Sequence, residues 1–174
     1  MKALNLIVIK KNKPELIKLD LWKRNDFPMS VKKRGYITKK DMSKILDWKL
    51  TRGKMRPLQK LFETNSSEDC KKASKLCLQL LYEKKYIEAL VSLTILHGIG
   101  IATSSAILSS LVPNELPFMS DEVIECVTEN KVYTLNVYLK VRTYLKKMEK
   151  KYDNHFTAES VGMLIWSMKT LKMN

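Results

Sequence analysis

From Thr38 onward the apolar residues recur at intervals of three and four, and no segment alternates with the two-residue period of a strand. That pattern confines this part of the chain to an all-α fold, because a helical period cannot present one apolar face in an extended conformation. "TKKD" at 38–41 has the form of a capping box, Met42, Ile45, Leu46 and Leu50 share a face, and Gly53 supplies a C-terminal cap. A first helix is therefore expected over 39–52. Pro57 opens a shorter helix through Phe62, and Ser66 or Ser67 caps another that runs past Leu80, with Glu68 and Asp69 against the positive end of its dipole. "KKYIEALVSLTIL" forms the next, and further helices are expected over 102–111, 121–129, 132–151 and 158–172. The loops are short and no repeat interrupts them, so residues 38–174 read as a single compact helical domain.

Residues 1–37 leave two readings open: "LNLIVI" suits a short strand, and "PELIKLDLWK" suits a helix opened by Pro14 at its first position. The segment is taken as a basic N-terminal arm packed on the domain. Its apolar run is too short to span a bilayer, lacks a small-residue cleavage site and is followed by "KKNK", so no membrane association is expected and an intracellular location is. Cys70, Cys77 and Cys126 are widely spaced within apolar helical patterns, which suits neither a disulfide framework nor a metal or iron–sulfur ligand set. No metal and no cofactor are expected.

Charge points to a partner. The chain carries 32 Lys and Arg against 18 Asp and Glu, and the excess is uneven: +13 over residues 1–60, −5 over 61–130 and +6 over 131–174. A polyanion is the natural partner of such basic ends. "VKKRGYITKK" suits a DNA-facing arm or a nuclear-import patch equally, so a nuclear location is expected if the source is eukaryotic.

A place for that polyanion is suggested by "LHGIGIATSSAIL" at 96–108, which uses two of the five glycines one residue apart. Glycines at 98 and 100 allow a tight reversal between helices and expose consecutive backbone N–H groups, which with the amide around Thr103 at the next helix start would cradle one phosphate. Ile99 would tuck beneath the turn. A plain helix-to-helix reversal without a ligand explains the same residues.

Downstream, "PNELPFMSDEV" opens a new helix with Asp121, 21 positions beyond Gly100. Leu96, Gly98, Ile99, Gly100, Thr103, Ile107 and Leu108, followed at this distance by Asp121, resemble the signature of the helix-hairpin-helix base-excision DNA glycosylases; Ser104 stands where alanine is commoner. The resemblance reaches residues 40–129, about half the chain, and "WKLTRGKMRP" falls where that family presses a helix and loop into the duplex. It implies double-stranded DNA as partner and Asp121 as the carboxylate that stabilises positive charge on the sugar as the N-glycosidic bond breaks. The position at which some relatives carry a Schiff-base lysine is Ala102, so the resemblance implies a monofunctional glycosylase that acts by hydrolysis. No cysteine follows Cys126 to ligate the iron–sulfur cluster of other relatives.

The loop residues Arg52, Lys54 and Arg56 surround Gly53 and are expected to touch phosphate, while Lys49 either lines the pocket or is solvated. Met55 reads as a partly buried loop residue more readily than as a wedge, and Trp48, Tyr133, Tyr138, Tyr144 and Trp166 read as core. Ser120 and Asp121 would also serve as an ordinary helix cap, and Glu122 as a solvated first-turn residue. His97 reads as a hydrogen-bonding group at a helix end, and His155 as exposed. Two DNA-binding readings result: a monomeric glycosylase removing a damaged or mismatched base, or a module of the same build that has lost the chemistry and acts as a repair or chromatin adaptor. A helical protein whose basic surface meets an acidic partner is the third.

Overall fold

Thr38 accepts a hydrogen bond from the Asp41 amide while the Asp41 carboxylate accepts one from the Thr38 amide, and this reciprocal cap starts the helix around which the molecule is built. The computed structural model describes residues 14–53, 57–151 and 156–170. Within them the chain is helical and no strand is present: α1 (Pro14–Leu21), α2 (Phe27–Arg34), α3 (Lys39–Arg52), α4 (Leu58–Glu63), α5 (Ser67–Tyr82), α6 (Tyr86–Ser92), α7 (Ile101–Leu108), α8 (Asp121–Ile124), α9 (Leu135–Lys151) and α10 (Ala158–Thr170).

α3 buries Met42, Ile45, Leu46, Trp48 and Leu50, and packs against α1, α4, α5 and α7. α7 is buried from Ala102 to Leu108, a degree of enclosure that its small side chains permit at close helix approach. α5 and α6 form one antiparallel hairpin, turned by Lys84 at φ +58°, and α9 and α10 pack together as a second pair. Gly162 brings α10 close to two neighbours: a Cβ there would lie 3.5 Å from Leu145 and 3.7 Å from Val123.

Residues 14–34 join the same core. α1 and α2 are linked by a π-helical stretch, Trp22–Asp26, and contribute Leu16, Phe27 and Val31 to the continuous apolar cluster; Gly35 at φ +75° ends α2. Of the two readings of residues 1–37, the helix opened by Pro14 is present; the "LNLIVI" run lies outside the described residues. Several expected boundaries move. α7 is Ile101–Leu108, α8 is a single turn, and α9 begins at Leu135. Gly53 follows α3 with its amide on Lys49 O, but at φ −114° it is not the left-handed cap its position suggests. Cys70 and Cys77 are buried, and burial raises the Cys77 thiol to about 12; Cys126 is exposed beyond α8, not part of an apolar helical face.

Candidate functional site

The hairpin between α6 and α7 is held from below. Ile99 is buried at 3% exposure, its amide bonds to Leu96 O at 3.1 Å, and Gly98 adopts φ +78°. Asn65 grips the turn on both sides, accepting from the His97 amide at 2.9 Å and donating to His97 O at 2.9 Å, while the His97 ring meets the Thr64 hydroxyl at 3.0 Å. The two glycines serve different ends. A Cβ on Gly98 would lie 2.9 Å from Leu58 O and from Phe62 N, whereas nothing lies within 4 Å of one on Gly100. Among the described residues the Gly98 and Gly100 amides have no acceptor. The Thr103 amide, in contrast, donates to Gly100 O at 3.0 Å, so the sequence-based assignment of that N–H to a phosphate does not match its geometry.

Asp121 is set by the loop that follows α7, and that loop is fastened at three places. Arg142 and Lys146 of α9 converge on Glu115 at 2.7 Å each; the Glu159 carboxylate of α10 accepts from the Phe118 amide at 2.7 Å; Ser105 of α7 accepts from the Met119 amide at 3.0 Å. Burial alone would raise the Glu115 carboxyl, but the two cations more than offset it and hold it below its ordinary value. Ser120 occupies the position before α8 but makes no side-chain capping bond, and its hydroxyl is buried without a partner among the described residues. Asp121 Oδ1 instead accepts a hydrogen bond from the Tyr133 hydroxyl at 2.7 Å. Ser120 therefore holds the cap position through its backbone alone, Asp121 lies in the first turn of α8, and Tyr133, read from its spacing as core, is half-buried beside the carboxylate.

Lys49, Arg52, Ser120, Asp121, Tyr133 and Trp166 border a cavity of about 50 Å³. Next to it runs a groove of about 410 Å³ along the hairpin from Thr94 to Thr103. Lys49 and Tyr133 are walls of both. Glu122 also borders the cavity, and is half-buried where its sequence position suggests solvation.

Arg52 departs furthest from its expected role as a phosphate clamp. It is 8% exposed, and its guanidinium carbon lies 4.5 Å from the Trp166 ring, 5.2 Å from Trp48 and 5.3 Å from Phe118. Burial lowers its hold on the proton, against Glu159, Glu122 and Asp20. Lys23 also lies against Trp48, 4.4 Å from the ring centroid, 3% exposed and donating to Ser109 Oγ at 2.9 Å. Burial brings its ammonium down to about 8 despite Glu159 and Asp20. Trp48 is thus a core residue, its indole N–H on Asp20 Oδ1 at 3.1 Å. Lys54, Met55, Arg56 and His155 lie outside the described residues.

Sequence reasoning missed Ser105, Glu115, Glu159 and the pairing of Tyr133 with Asp121. Only Ser104 left a trace: its hydroxyl donates to Leu90 O at 2.6 Å, which gives a reason for serine in a position where the hairpin pattern prefers alanine. No cluster of His, Cys, Asp and Glu among the described residues has the form of a metal site, and none of the described helices is long and apolar enough to cross a membrane. No family model, no curated protein and no solved structure matches the chain.

Proposed function

We propose that this chain binds duplex DNA through the hairpin and releases a damaged or mismatched base by hydrolysis, as a monofunctional helix-hairpin-helix glycosylase. The observation that supports this reading most is the shared boundary: Lys49 and Tyr133 line both the groove of the Gly98–Gly100 turn and the cavity of Asp121. A phosphate on the Gly98 and Gly100 amides would fix the strand. The extruded nucleoside would then enter between Lys49 and Tyr133 with its sugar against Asp121, the Tyr133 hydroxyl holding the carboxylate in place.

Incubating the protein with duplexes bearing uracil, oxidised, alkylated or mispaired bases, followed by alkali, is expected to cleave at least one of them. Asp121→Asn is expected to abolish cleavage and keep duplex binding. The binding module without chemistry has one specific observation in its favour. The Asp121 cavity of about 50 Å³ is far below the roughly 300 Å³ of a typical ligand pocket, and Tyr133 already occupies one carboxylate oxygen. Salt-sensitive duplex binding with no product on any lesion decides for the module.

A further inference from the structure

Arg52 and Ser120 both line the small cavity, and Arg52 Nε, Arg52 Nη1 and Ser120 Oγ are buried with no hydrogen-bond partner among the described residues. Arg52 is 8% exposed and Ser120 5%, and Arg52 has no carboxylate in ion-pair contact among the described residues. The aromatic rings around the guanidinium ease the burial of its charge but supply no oxygen acceptor. A buried cation with unused N–H groups is a costly arrangement for folding alone, and an acceptor entering the cavity would complete it. At about 50 Å³ the cavity admits a single oxygen-bearing edge, not a whole ring; the remainder of a ring would stay in the groove of about 410 Å³ beyond Lys49 and Tyr133.

Resting on the base-excision reading above, we propose that Arg52 and Ser120 are the specificity end of the site, taking the carbonyl oxygen of an extruded neutral oxo-base in preference to a base edge that presents none. Hydrogen-bond complementarity sets that preference. A carbonyl oxygen is the acceptor that a guanidinium and a hydroxyl both recognise, whereas an exocyclic amino group meets N–H with N–H.

Titration calorimetry of the full chain with four free nucleosides tests this without requiring excision. 2′-Deoxyuridine and 2′-deoxyinosine are expected to bind, with 2′-deoxyadenosine and the cation 1-methyl-2′-deoxyadenosine weaker by roughly tenfold or more. Ser120→Ala, which removes one unsatisfied oxygen and leaves the apolar core packing intact, is expected to weaken the oxo-nucleosides about fivefold or more at a melting temperature no lower than that of wild type. Arg52→Met, which removes the N–H donors while keeping an apolar stem among the rings, is expected to remove the discrimination. Equal binding of all four, binding of none, preference for the cation, or binding of inorganic phosphate alone overturns the proposal. Oxo-nucleoside binding without excision from any duplex contradicts hydrolysis and leaves this assignment standing; excision confined to cationic bases does the reverse.

Discussion

At Gly98 the backbone has φ +78° and a Cβ would meet backbone atoms of α4 at 2.9 Å, whereas Gly100 has φ −97° and open space around its Cα. Gly98→Ala is therefore expected to destabilise the fold by about 2 kcal/mol or more, from strain and from displacement of α4. Gly100→Ala is expected to leave stability within about 0.5 kcal/mol and, on the DNA-binding reading, to weaken duplex binding roughly tenfold, because a methyl group would then stand in the path of a phosphate to the amide. Denaturant melts and duplex titrations of the two variants separate these effects. Lys23 gives a pH signature. Its folded value of about 8 lies below the ordinary 10.5, so between those values the unfolded chain binds more protons and stability rises with pH. The rise, roughly 3 kcal/mol at most, is expected to vanish in Lys23→Met when urea melts are compared at pH 7.5 and pH 10. Neither residue's role is legible in the sequence. The two glycines read as one motif, and Lys23 as one more basic residue, because burial and close approach are set by elements distant in the chain.

Among the elements, those with local chemistry are legible and those fixed by tertiary contacts are not. The starts of α3 and α5 follow from Thr38 with Asp41 and from Ser66 with Asp69, partners three residues apart that any sequence reading can pair. The sequence pattern carries α8 to residue 129, but the chain leaves the helix after Ile124, where the Glu125 side chain turns to Lys131 and Lys169. Those two cations pull the Glu125 carboxyl down to about 2. The loop that sets Asp121 depends on Ser105, 14 residues from Met119, and on Glu159, 41 from Phe118, separations at which sequence spacing carries no signal. Removing the Ser105 hydroxyl leaves the buried Met119 amide without its acceptor. Ser105→Ala is expected to cost about 1–3 kcal/mol in denaturant melts and, on the glycosylase reading, to slow base release by displacing Asp121.

For the whole molecule, the uneven charge is legible but its disposition is not. Of the cations in the first 60 residues, Arg34 is paired with Asp41 and Lys39 with Glu63, and Lys23 and Arg52 are buried, so the exposed charge is smaller than the count implies. Reversing Arg52 would bury a carboxylate among aromatic rings and test folding rather than binding; Lys54→Glu with Arg56→Glu is the informative pair. Duplex affinity is expected to fall linearly with the logarithm of salt concentration, and the slope to shrink by about one for each phosphate that the altered pair no longer neutralises. The all-α class follows from periodicity alone, while the adjacency of hairpin groove and Asp121 cavity depends on how α3, α7 and the 109–120 loop pack. Single-turnover base release from a lesion duplex, at saturating protein, tests that adjacency as chemistry. Wild type is expected to release the base, and Asp121→Asn, bound to the same extent, to release none; equal release by both, or none by wild type on any lesion, contradicts the account.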